Sequence, residues 1–149
     1  MKVATKPYGV LDVDERQKIH FPFGLLGFEN LSAYALLDAR QQPFYWLQSL
    51  DSVDVAFVLI DPKLFRCDYV LEVAREELDE IGIQSPDDVL HLSIVTIPDD
   101  PRQMTANLQG PIIVNKRTRV GRQSITTNPK WQIRHAILEE LSCVRQETC

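Results

Sequence analysis

Phe44-Tyr45-Trp46-Leu47-Gln48-Ser49-Leu50, the four residues Asp51-Ser52-Val53-Asp54, and Val55-Ala56-Phe57-Val58-Leu59-Ile60 closed by Asp61-Pro62 form the stretch that decides the architecture. Two apolar runs of strand length separated by a short polar turn predict an antiparallel hairpin. The second run is apolar at consecutive positions, so both of its faces must be covered, which places the hairpin at the heart of the core. Pro62 cannot donate to a ladder and pushes Asp61 into an extended conformation, so the chain leaves the sheet there. Outward from this hairpin, Leu11 and Val13 alternate with Asp12 and Asp14, Ile19 and Phe21 flank His20, and Leu90, Leu92 and Ile94 alternate with His91 and Ser93. Such period-two runs predict half-buried strands with His20 and His91 on polar faces. The expected fold is a single mainly β domain over residues 1–149, an antiparallel β-barrel-like structure with one or two short helices.

Helical signals are few. Ala74, Leu78 and Ile81 share one face, Glu76, Glu77, Asp79 and Glu80 point outward, and Gly82 follows as a C-terminal cap. Ser85-Pro86-Asp87-Asp88 reads as one further helical turn. Ile133, Ile137, Leu138 and Leu141 recur at helical spacing, so the segment 130–149 either closes the domain as a second helix or frays.

Composition narrows the function. Hydrophobic residues make up 44% and charged residues 25% of the 149, the profile of a soluble globular domain. The N-terminus carries no apolar leader and Val55–Ile60 is too short to span a bilayer, so the expected location is the cytoplasm, without membrane association. Cys67, Cys143 and Cys149 stand at no metal or redox spacing and are expected as free thiols there, a Cys143–Cys149 bridge being the alternative. His20, His91 and His135 have no ligand-spaced Cys, Asp or Glu. Gly24 and Gly27 lack the Lys-Ser/Thr of a phosphate loop, and no Gly-x-Ser-x-Gly elbow occurs. The expectation is a protein without catalytic activity, metal or cofactor.

Charge is unevenly distributed. Residues 1–101 hold 8 Lys and Arg against 18 Asp and Glu, a net −10, whereas residues 102–149 hold 8 against 3, a net +5. The acidic part would attract a basic protein; the basic segment 116–134, with Lys116, Arg117, Arg119, Arg122, Lys130 and Arg134 and Trp131 as a stacking surface, suggests instead a small nucleic-acid-binding barrel. Against that alternative, Arg117 and Arg119 alternate as on an outward strand face, and the Phe and Tyr residues cluster in the acidic part.

Two uncharged segments stand apart: Phe21-Pro22-Phe23-Gly24-Leu25-Leu26-Gly27-Phe28-Glu29 and Met104-Thr105-Ala106-Asn107-Leu108-Gln109-Gly110-Pro111-Ile112-Ile113-Val114-Asn115. Phe21, Phe23, Leu25, Leu26 and Phe28 either plug the end of the sheet or offer a docking patch. Thr105 and Asn107 either bond their own turn or meet a partner. These two segments, together with Phe44–Leu50, Ala56–Pro62 and Ile94–Pro98, resemble in order and register the FliW family of flagellar assembly factors. The resemblance covers nearly the whole chain. It is weakest from Gly121 to Ile137, where Ser124, Thr126 and Thr127 stand at more aliphatic family positions and Trp131 and Ala136 replace an expected Tyr and Pro.

The resemblance implies two protein partners: flagellin, held before export, and the RNA-binding translational regulator CsrA, which the family is thought to sequester until flagellin captures the factor instead. It implies no cofactor and no direct contact with nucleic acid, and the free protein is expected to be a monomer. Candidate partner-binding residues are Phe21, Phe23, Leu25 and Phe28 on the apolar loop, Glu76, Glu77 and Glu80 on the acidic helix, and Thr105 and Asn107.

Overall fold

A computed structural model describes residues 1–146, with side chains through residue 141. Its strands are β1 (Lys2–Thr5), β2 (Gly9–Asp12), β3 (Lys18–His20), β4 (Ala33–Asp38), β5 (Tyr45–Ser49), β6 (Ala56–Ile60), β7 (Val89–Thr96), β8 (Thr105–Ala106), β9 (Ile112–Asn115), β10 (Gly121–Gln123) and β11 (His135–Ala136). The helices are α1 (Arg75–Glu80) and α2 (Ile137–Gln146). β1 and β2 form a separate hairpin; the other nine strands make one antiparallel sheet in the order β10-β9-β7-β6-β5-β4-β3, with β8 and β11 branching from β7.

The predicted central hairpin is present, with Tyr45 opposite Leu59 and Gln48 opposite Ala56. Adjacent residues of β6 enter different cores: Leu59 joins Ile19, Phe21, Tyr34, Leu47 and Ile112, while Ile60 joins Phe65, Tyr69, Leu108 and Trp131. That is why this strand is apolar at consecutive positions. Fully buried Gln48 secures the turn, donating to the carbonyls of Ser49, Val53 and Val55 and accepting from Lys6 N–H, so the same amide ties the β1–β2 hairpin to the sheet. A buried amide with its bonds made avoids the cost of an orphaned polar group.

The sheet curls without closing. Between β10 and β3 there is one parallel bridge, His20 to Val120, with His20 N–H donating to the Arg119 carbonyl at 2.9 Å. The architecture is the expected mainly β, antiparallel and barrel-like one with two helices, the barrel being left unclosed at a seam.

β7 also departs from its reading. Leu92 is buried as expected, but Ser93 is fully buried on the opposite face, and His91 is half-buried and stacked on Tyr69 with ring centroids 5.5 Å apart. The second core, built partly from Tyr69 and Trp131, covers the face that alternation assigned to solvent. Burial pushes the His91 imidazole below its ordinary value near 6.5; Asp61 opposes the shift, and Lys63 and Lys116 add to it. The unfolded chain therefore takes up a proton that the folded chain refuses as pH falls below about 6.5, so stability declines with acidification from there. In His91→Phe the difference in urea midpoint between pH 7.5 and pH 5 is expected to shrink. An unchanged difference would show that His91 has no part in the acid sensitivity.

α1 begins after Ala74, and Gly82, at φ +73°, ends it while Ile83 N–H returns to the Leu78 carbonyl at 3.1 Å. Pro86–Asp88 forms the further turn under a Ser85 cap. The C-terminal segment is helical only from Ile137; exposed Ile133 precedes β11. Cys67 is disulfide-bonded, which corrects the expectation of free thiols; a Cys143–Cys149 bridge concerns side chains outside those described. Sequence spacing could not show that the loop after β6 lies against α2, where Arg66 pairs with Glu140 at 2.6 Å.

Candidate functional site

The apolar loop Phe21–Glu29 divides between core and solvent. Phe21 is fully buried, edge-on to Tyr34 at 5.3 Å, and Leu25 is 2% exposed. Phe28 is half-buried against Phe57 at 5.2 Å. Phe23 and Leu26 point outward, 54% and 56% exposed. Of the two roles open to this loop, Phe21 and Leu25 take the first and plug the sheet, and the loop tip is Phe23 with Leu26. Two left-handed glycines, Gly24 at φ +64° and Gly27 at φ +87°, allow the reversals that separate the two sets.

The loop tip lies against β10. Gln123 Oε1 accepts from Leu26 N–H at 3.0 Å, and Gln123 Nε2 donates to the Gly110 carbonyl. Arg122, the preceding residue, lies with its guanidinium 5.4 Å from the Phe23 ring centroid. The same guanidinium donates to Glu77 at 3.1 Å and to Glu80 on α1. The loop and the acidic helix, separate in sequence, are thus neighbours joined by one side chain. Glu76 lies exposed beside them. α1 residues Arg75 and Leu78 line a different feature, an apolar groove of about 480 Å³ with Val70, Leu71, Ile83 and His91 in its walls.

Thr105 lies in the sheet, and Asn107 shapes the turn whose Gly110 carbonyl accepts from Gln123. Thr105 pairs with Ala136 across β8 and β11. Asn107 Oδ1 accepts from Gln109 N–H at 3.0 Å and Gly110 N–H at 2.9 Å, the turn-forming role that its side chain type suggests.

The basic segment does not present Trp131 as a stacking surface. Trp131 is 2% exposed and covered by Arg66 and Lys130, whose charged groups lie 4.9 Å from its ring. Arg117 pairs with Asp88 and Lys130 with Asp68. Arg117 and Arg119 occupy a turn rather than a strand, because Asn115 Oδ1 accepts from Arg117 and Thr118 N–H and turns the chain; Arg119 sits at φ +59°. The atypical Thr126 and Thr127 hydroxyls both donate to the Glu72 carbonyl.

Fold and surface define a small, mainly β domain whose distinctive face sets an apolar loop tip, an arginine and an acidic helix side by side. A family model described as "FliW protein" matches residues 2–137, and the chain belongs to the FliW family of flagellar assembly factors. It is 44% identical to the flagellar assembly factor FliW of Treponema denticola over 142 residues, covering 95% of this chain and 97% of that one. Against the Treponema pallidum protein of the same description it is 44% identical over 150 residues and the full length of both. A crystal structure of the flagellar assembly factor FliW superposes with a TM-score of 0.85 at 33% identity, covering 92% of this chain and 96% of that one. Among the described residues no helix is long and apolar enough to cross a membrane.

Proposed function

We propose that this chain acts in the cytoplasm as a non-enzymatic partner switch, binding flagellin and, when flagellin is scarce, sequestering CsrA so that it cannot repress flagellin translation. Family membership supports the flagellar role. The observation that carries the two-partner reading is the adjacency of Phe23 and Leu26 to Glu77 and Glu80. An apolar tip suits a terminal segment that becomes helical on binding, and an acidic helix suits a basic RNA-binding protein. Side-by-side sites need not overlap to exclude one another, because occupancy of one can disfavour the other through the residue they share.

Reversing Glu76, Glu77 and Glu80 to Lys is expected to weaken CsrA binding more than flagellin binding, and added salt should imitate the change. Since Glu77 and Glu80 hold Arg122, the reversal also sets cations against that arginine. Reversal of Glu76 alone therefore tests steering with little effect on stability, within a few tenths of a kcal/mol. Unchanged CsrA affinity in both variants would place that interface elsewhere.

The whole reading is tested by a titration that follows RNA bound to CsrA. This protein should release the RNA, flagellin should restore it by withdrawing the protein, and the protein alone should bind RNA weakly at physiological salt. A stable complex of all three proteins would refute the switch. Tight RNA binding lost on replacing Arg117 and Arg119 would favour a nucleic-acid-binding function instead.

A further inference from the structure

Arg122 is held in an unusual position. Its side chain is 16% exposed, between Glu77 at 29% and Glu80 at 48%, and one face of the guanidinium lies over Phe23. A planar cation seated between two carboxylates and an aromatic ring is the arrangement in which proteins receive an arginine from another molecule. Here the chain supplies the cation itself. Solvent-exposed Phe23 and Leu26 continue the surface, and Leu26 is fixed there by its bond to Gln123, the neighbour of Arg122.

We propose that Arg122 occupies, in the free protein, the place that a partner's guanidinium takes in the complex, so that the surface of Phe23, Leu26, Glu77 and Glu80 fits a segment carrying arginine between apolar side chains. Arg122 is then a specificity-determining residue. A partner arginine must exchange with it, so binding replaces one ion pair by another and gains little from charge alone; selection falls on partners whose apolar groups also engage the loop tip. A polycation without apolar neighbours displaces Arg122 at no net gain, which guards an acidic face against indiscriminate association. The displaced guanidinium leaves Phe23, and this couples the acidic and apolar halves of the face.

The inference rests on reading this face as a partner site, but its test uses neither proposed partner. The probe is a synthetic amphipathic peptide in which arginines alternate with paired leucines, and its counterpart with citrulline for arginine. Binding to the full chain is measured by calorimetry at low salt, and the Nε–H resonance of Arg122, assigned by its loss in Arg122→Gln, is followed during the titration. The arginine peptide should shift that resonance toward that of a solvent-exposed arginine, and the citrulline peptide should not. Arg122→Gln should bind the arginine peptide about fivefold tighter than the parent, the size of one partly exposed ion pair formed without exchange. Arg117→Gln removes the same charge from a pair with Asp88 and should leave the affinity unchanged. Should Arg122→Gln fail to fold, as judged by thermal unfolding, Arg122→Lys takes its place: it keeps a cation that cannot fork to both carboxylates, and a smaller tightening is expected. Equal tightening in Arg117→Gln, no tightening in the Arg122 variant that folds, or binding that leaves the Arg122 resonance in place would each overturn the proposal. Failure of CsrA or flagellin to bind would instead overturn the assignment of partners alone.

Discussion

Phe21→Ala is expected to lower the unfolding free energy by about 3–5 kcal/mol, the usual cost of emptying a fully buried aromatic site. Phe21 has no exposed surface, packs edge-on against Tyr34, and shares its cluster with Leu25, Leu47, Leu59 and Ile112. Its neighbourhood cannot collapse easily, because the ring also lies against Gly121: a Cβ built there would come within 2.8 Å of Phe21 Cε1 and 2.9 Å of the Ile113 carbonyl. Phe23→Ala, two residues away, should shift stability by less than about 0.5 kcal/mol and act on partner binding. Urea unfolding of the two variants side by side checks the assignment. Similar losses would show that the loop tip is as integral to the core as its base.

An equally large effect is expected at Gly24. Alanine there faces two separate penalties, the left-handed backbone at φ +64° and a Cβ that would lie 2.5 Å from Glu29 Cα and 2.6 Å from the Phe28 carbonyl. The first costs about 1–2 kcal/mol. The second forces backbone against backbone and adds about 1–3 kcal/mol. Gly27→Ala is the internal comparison, since at φ +87° it carries backbone strain but meets nothing within 4 Å. Thermal unfolding should rank Gly24→Ala well below Gly27→Ala; the reverse order would mean that the turn relaxes at Gly24.

Sequence alone carried the reading a long way where a period existed. The hairpin from Phe44 to Ile60 was legible because a strand covered on both faces has to be apolar at consecutive positions, and α1 was legible because Gly82 marks where its apolar face stops. Reading failed where side chains set the backbone. Arg117 and Arg119 alternate like strand residues, yet one asparagine oxygen bends the chain beneath them. The loop Phe21–Glu29 has no period, so nothing in its composition divides Phe21 and Leu25 from Phe23 and Leu26; the two positive-φ glycines do. The candidate face was half legible. Both of its parts were singled out, but their junction depends on Arg122 reaching Glu77, 45 positions away in the chain, and no local pattern encodes that meeting. The bonding of Cys67 was equally out of reach, since it depends on which segments the fold brings together.

The seam between β3 and β10 bears on how far the ends of the sheet lie open to other chains. An open sheet ends in two rows of unpaired amides and carbonyls, each a template on which another chain can add a strand and seed aggregation. Here the curl turns those two rows toward each other: His20 spends its amide on Arg119, Phe21 gives its own to the Ser32 carbonyl, and the Gln123 side chain reaches across to Leu26. Neither edge is long, neither is flat, and each shields the other. A seam held by a single bridge secures part of the protection of a sealed cylinder, and the loop tip beside it, Phe23 with Leu26, stays exposed.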